Sequence, residues 1–192
     1  TGDWCGWRTI ARGNDAAPDA ISWAKGIAGG FPLGGIWVSE RPVELKNGGT
    51  IALCDLLGPG SHGTTFGGTP LVAAGANEVL AVIEEEGMLE NARRMGAHAL
   101  MKLRAIDSPL VKEARGVGLM LALELVPDFA ARIETAGRAP SLFVVDRLHD
   151  AGLLTIPSGT HAFRWLPPLN IEQAQIDEAA EIVGRVFRGL AG

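Results

Sequence analysis

The chain has 192 residues, 47% hydrophobic and 20% charged, enough for one large domain or two small ones around a sizeable core. A net charge of −5 with no basic cluster argues against a nucleic-acid or anionic-membrane surface, and no apolar run approaches the length of a transmembrane helix. Cys5 and Cys54 stand in no metal-ligand spacing, so neither a metal site nor a disulfide framework is expected, and with no secretory signal in view the cytoplasm is the expected location.

Residues 1–20 mix Gly, Asp, Asn, Pro and Trp without periodicity and read as a loop with a short strand at most. The apolar run from Asp19 to Ala24 predicts a buried strand that ends at Lys25. Lys25 is the only charged residue between Asp19 and Glu40, and glycines 26, 29, 30, 34 and 35 follow it. Glycine allows turns and close ligand approach that a side chain would block. A lysine set in such a pocket loses solvation, which lowers its pKa and frees the amine as a nucleophile, the requirement for a Schiff-base lysine. A surface lysine beside a glycine loop fits this segment equally well. Gly35 to Ser39 predicts a second strand, returning antiparallel after the glycine turn.

Thr69-Pro70 marks a helix start, threonine as N-cap and proline at the first helical position. Leu71, Ala74, Val79, Val82 and Ile83 are its expected apolar face, with Ala73 to Ala76 allowing close packing. Gly87 separates it from a helix over Met88 to Arg104, and a domain boundary is placed there, giving segments 1–87 and 88–192. The second segment reads as a small α/β unit. Val117 to Val126 alternates as a strand, Pro140 to Ala151 is helical, and Leu153 to Ile156 pairs with Ala162 to Leu166 across Pro157-Ser-Gly-Thr160. Asn170 and Gln173 have the spacing of a variant capping box, opening a last helix with the stripe Ile176, Ala180, Val183, Phe187 and Leu190.

Two segments carry a resemblance. Trp23-Ala-Lys-Gly-Ile-Ala-Gly-Gly-Phe-Pro-Leu-Gly-Gly35 and Gly60-Ser-His-Gly-Thr-Thr-Phe-Gly-Gly-Thr-Pro-Leu71 resemble the motifs AKG-x-x-GG-x-P-x-G and HG-[ST]-T-[FY]-GGNPL of the class-III aminotransferases. Arg115-Gly-Val-Gly-Leu-Met120 and Arg164-Trp-Leu-Pro-Pro-Leu169 extend the likeness over nearly the whole chain. Within the class the acetylornithine aminotransferases are the branch it resembles most. There are departures: Trp4-Cys-Gly-Trp-Arg-Thr9 replaces the family's Gly-Arg-Thr-Gly, and Thr69 stands where the family has Asn.

The resemblance implies an α/β fold, the C-terminal part of the fold-type-I transferases that use pyridoxal phosphate (PLP). It divides the chain into the end of the PLP-binding large domain, 1–87, and a small C-terminal domain, 88–192. It implies that Lys25 carries the cofactor as a Schiff base and moves the proton as general acid and base. Thr65 matches the threonine that binds the PLP phosphate of the neighbouring subunit, which implies a homodimer with shared active sites. Thr64 fills the motif's variable position and supports a weaker cofactor contact. The bland alternative for Thr65 is a turn residue bonding to its own backbone. Arg164 matches the arginine facing the substrate carboxylate, the alternative being an edge-strand arginine reaching to water. His62 is as compatible with a local structural bond as with a functional one. Arg115 is expected in a turn, Glu124 at a solvated strand position, and the five tryptophans in the core or a pocket wall.

The implied reaction moves the terminal amino group of an N-acylated diamino acid, acetylornithine, to 2-oxoglutarate, as in arginine biosynthesis. Ornithine, succinylornithine and 4-aminobutyrate aminotransferases are the close rivals, and an aminomutase or racemase on the same scaffold is a further one. The likeness begins partway through the family pattern, so the chain is expected to correspond to a C-terminal half. The motif Asp-Glu-[VI]-Gln, whose aspartate pairs with the pyridine nitrogen of PLP, is then expected before Thr1. A catalytically silent polypeptide is the competing expectation for this chain by itself.

Overall fold

The computed structural model describes residues 1–11 and 17–192, and the expected loop over 12–16 lies outside the described residues. The opening segment is not all loop. Asp3 Oδ1 accepts from the Cys5 N–H at 3.5 Å, and a helix α1 (Gly6–Ile10) follows. Five residues are too few to show a period, so turn chemistry rather than patterning starts this helix.

The chain divides into two units, Ile10–Glu86 and Thr1–Thr9 with Gly87–Gly192. The first nine residues thus group with the C-terminal unit and not with the segment that follows them. Arg93 donates to the Gly2 carbonyl, and the Gly118 backbone lies so close to Thr1 that a Cβ at Gly118 would overlap it.

In the unit Ile10–Glu86, β1 (Ala20–Trp23) pairs antiparallel with β2 (Gly35–Val38), Ala20 opposite Val38 and Trp23 opposite Gly35. The strand before Lys25 therefore exists, but no residue of it is buried, because it is half of a two-stranded sheet. A second hairpin, β3 (Pro42–Glu44) with β4 (Thr50–Ala52), was not anticipated, although Asn47-Gly48 between its strands is a strong turn signal. Asp19 fastens the two hairpins: Arg41 donates to both of its carboxylate oxygens, at 2.8 and 3.0 Å. Leu53 N–H also donates to the Arg41 carbonyl at 2.9 Å.

Helix α2 (Pro70–Glu85) starts with Pro70 in its first turn and Thr69 as N-cap residue, but the Thr69 side chain makes no capping bond. Its packed face also differs from expectation. Val72 and Ala76 are buried whereas Leu71 and Ala74 are exposed, so the apolar stripe is rotated from the expected one. The buried pair packs on Ala28 and Leu33, which selects small and branched residues over the long Leu71.

The other unit is built on α3 (Met88–Arg104) and the four-stranded sheet β5-β6-β8-β7. Here β5 is Val111–Val117, β6 Met120–Leu125, β7 Ile156–Pro157 and β8 Ala162–Trp165, every neighbouring pair antiparallel. The alternation seen near Leu121, Leu123 and Leu125 is β6, and each of the three is buried. The start of that expected segment belongs instead to β5, which places Arg115 in a strand and not in a turn. A short helix α4 (Phe129–Arg132) follows, then α5 (Pro140–Asp150) and α6 (Gln173–Ala191). The capping box forms two residues later than expected, between Glu172 and Gln175. Ile176, Ala180, Val183 and Phe187 of α6 are buried as the stripe predicts, with Leu190 packed at the margin. They meet Ala92, Met95 and Ala99 of α3 and the inner face of the sheet, where Phe163 and Phe187 stack at 6.3 Å.

Candidate functional site

Lys25 opens a 3₁₀ turn, Lys25–Ala28, directly after β1. Its φ is +59°, one of two non-glycine residues with positive φ among the described residues. A left-handed lysine costs about 1 kcal/mol or more, so the surrounding structure must impose it. That support is visible. Ala28 is 1% exposed against Val72 and Ala76 of α2, and Gly29 abuts Val79. Gly75 of α2 lies under Phe31, where a Cβ would come within 2.8 Å of the ring. The anticipated close packing by small residues of α2 is thus directed at the segment carrying Lys25. The Lys25 side chain itself is exposed, so the described residues do not bury it as a desolvating pocket would.

The loop before α2 holds the next candidates. Thr64, Thr65 and His62 are all exposed. Thr64 Oγ1 accepts from the Gly67 N–H at 3.2 Å, so the turn-residue role considered for Thr65 falls to its neighbour. Among the described residues the Thr65 hydroxyl has no hydrogen-bond partner. His62 Nδ1 pairs with Ser61 Oγ at 3.0 Å, a local bond. One helix therefore organises both halves of this region: the threonine loop leads into α2, and the Lys25 turn packs on its side.

Arg164 belongs to the other unit, in the middle of β8. It is opposite Ala122 of β6 on one side and Ile156 of β7 on the other, so its strand is not at the sheet edge. Phe163 and Trp165 point into the core and Arg164 to the outer face. Arg115, next in the same cross-strand row, is engaged, with Glu124 at 3.1 Å and Glu113 at 3.1 Å. Lys112 also bonds Glu124, at 2.6 Å, and the bonds from Lys112 and Arg115 hold the Glu124 carboxyl below its ordinary pKa. Glu124 is thus an ion-pair centre and not a free solvated position. Among the described residues no carboxylate pairs with Lys25 or Arg164, which leaves both cations available to an incoming anion. The tryptophans are split: Trp165 is buried, whereas Trp4 and Trp37 are exposed.

Sequence reasoning missed the bracing of the Lys25 turn by Gly75 and Phe31, for which the only signal was a glycine inside an apolar helix. Among the described residues no group of three or more His, Cys, Asp or Glu side chains could hold a metal, and no helix is long and apolar enough to cross a membrane.

Comparison with known proteins gives one answer about kinship. The family model for aminotransferase class-III matches residues 1–187. An ornithine aminotransferase of Bordetella pertussis is 38% identical, covering 88% of this chain and 36% of its own length. An acetylornithine aminotransferase of Thermosynechococcus vestitus is 34% identical over 100% of this chain and 41% of its own. Among solved structures, the ornithine aminotransferase of Toxoplasma gondii, with PLP at partial occupancy in its active site, superposes with a TM-score of 0.71 and 28% identity, over 94% of this chain and 39% of that one. The chain thus spans well under half the length of the relatives it matches.

Proposed function

Since this chain belongs to the class-III aminotransferase family, we propose that it supplies Lys25, Thr65 and Arg164 to a PLP-dependent transamination of an N-acylated diamino acid, acetylornithine, with 2-oxoglutarate as acceptor. The observation that carries the reading is the left-handed, braced conformation of Lys25. Strain of this kind persists where structure over-determines it, and it clusters at ligand-binding and reacting residues.

The residues present fit the cofactor that the family implies. A Cβ at Gly26, Gly30, Gly63 or Gly68 would meet no atom within 4 Å, so open space lies beside both Lys25 and the threonine loop. An exposed amine and an unengaged threonine hydroxyl are the donor types that an aldehyde and a phosphate require. Lys25 would hold PLP covalently, and Thr65, with Thr64 in a lesser role, would donate to its phosphate. When bound, PLP supplies an electron sink for the charge left on the substrate carbon. Once displaced from the cofactor by the substrate amine, the Lys25 Nζ would take the proton from the carbon that bears the departing amino group, acting as general base and then acid. Arg164 would orient the substrate through its carboxylate, the guanidinium fork matching both oxygens. In this reading Thr65 serves the site of a neighbouring copy, so the working unit is a homodimer and the setting is amino-acid metabolism in the cytoplasm.

Ornithine is the rival donor, favoured by the 38% identity to an ornithine aminotransferase. Borohydride reduction of the chain with PLP, followed by peptide mass mapping, tests the anchor: the label should sit on Lys25 and be absent from Lys25→Ala. A label on Lys46, Lys102 or Lys112 would overturn the assignment. Competition between acetylornithine and ornithine for amino transfer to 2-oxoglutarate then decides the donor.

A further inference from the structure

Ile156 and Pro157 form an edge strand of two residues, and Pro157 brings no N–H to the ladder. So short a strand has little of its own to fix its register beside Arg164. The preceding residue has an anchor. Thr155 is 5% exposed, and both of its backbone polar groups converge on one ring nitrogen. His149 Nε2 lies 2.7 Å from the Thr155 carbonyl oxygen and 3.1 Å from its amide nitrogen. A protonated Nε2 donates to the carbonyl, and a bare one accepts from the amide, so the ring stays tied to Thr155 in either tautomer. His149 is itself held on the last turn of α5. Gly152 N–H donates to its carbonyl at 2.9 Å, and Leu153 N–H to the Leu148 carbonyl at 2.8 Å. Ile156 is the ladder partner of Arg164 and shares its face of the sheet, so its side chain flanks the arginine stem.

We propose that His149 is a positioning residue for Arg164: by pinning Thr155 it keeps Ile156 in register against the arginine stem and limits the directions from which the guanidinium meets a carboxylate. The inference rests on the reading of Arg164 as the carboxylate-binding residue.

The test reads the strand and the kinetics separately. Ser158 N–H donates to the Ala162 carbonyl at 2.7 Å and reports the β7–β8 pairing. In His149→Leu, losing one hydrogen bond should speed Ser158 amide exchange about fivefold while β6 amides keep their protection. In the intact enzyme the KM for 2-oxoglutarate should rise about fivefold with kcat unchanged. His149→Gln, whose amide can donate to the same carbonyl, should restore both. Unchanged exchange at Ser158 in His149→Leu overturns the proposal, and so does a fall in kcat with KM unaltered. Arg164→Ala separates the two ideas. If it leaves the KM for 2-oxoglutarate unchanged, the reading of Arg164 fails and takes this proposal with it. A KM raised by Arg164→Ala but untouched by His149→Leu defeats the role of His149 alone.

Discussion

Gly96 of α3 packs directly on Gly118, so closely that a Cβ at Gly96 would overlap the Gly118 carbonyl carbon and oxygen. The obstacle is backbone, which cannot swing aside as a side chain can. Gly96→Ala should therefore destabilise the unit by about 2 kcal/mol, overpacking outweighing the roughly 1 kcal/mol that alanine gains over glycine within a helix. Chemical denaturation of the variant checks this, and an unchanged midpoint would show that the β5–β6 turn moves freely.

The conformation of Lys25 predicts an order of stabilities that its charge does not. At φ +59° glycine adopts the backbone without steric cost whereas alanine, like lysine, strains it, so Lys25→Gly should be more stable than Lys25→Ala by about 1 kcal/mol. Neither variant should retain a borohydride-reducible PLP adduct. Equal stability of the two would mean that the turn relaxes when the lysine is removed.

Arg164 and Arg115 share a cross-strand row, yet among the described residues only Arg115 of the two is engaged by carboxylates. Arg164→Ala should raise the KM for 2-oxoglutarate about ten- to a hundredfold, the worth of a charge-assisted fork, and Arg164→Lys should recover only part of it. Arg115→Ala should leave KM within about twofold and act on stability instead. Steady-state kinetics of the three variants gives the comparison.

Asp177 of α6 accepts from His98 Nε2 and pairs with Lys102 of α3, each at 2.8 Å. Its carboxyl is held below the ordinary range, first by the bond from Lys102 and then by that from His98. A carboxyl whose folded pKa is depressed stabilises the fold above its unfolded pKa and loses that contribution as pH falls through the folded value. The α3–α6 packing should therefore weaken below about pH 4 in the native chain, and Asp177→Asn should flatten this acid limb. Thermal melts across that range make the measurement, and parallel curves for the two proteins would refute it.

The local signals were sound where one residue type dictates one conformation. The proline after Thr69, Gly87 between two helices and the leucine alternation of β6 each fixed an element, because backbone sterics and a period of two act within a few residues. The lysine–glycine and histidine–glycine–threonine segments made the family legible, as the aminotransferase class-III match over residues 1–187 bears out. Tertiary structure alone decided which face of α2 is buried, since Ala28 and Leu33, distant in sequence, choose Val72 and Ala76 over Leu71. It also decided that Arg115 is engaged by carboxylates while Arg164, among the described residues, is not, and that Thr64 is spent on its own turn. Those outcomes depend on cross-strand register and on packing between remote segments, which no short window of sequence contains.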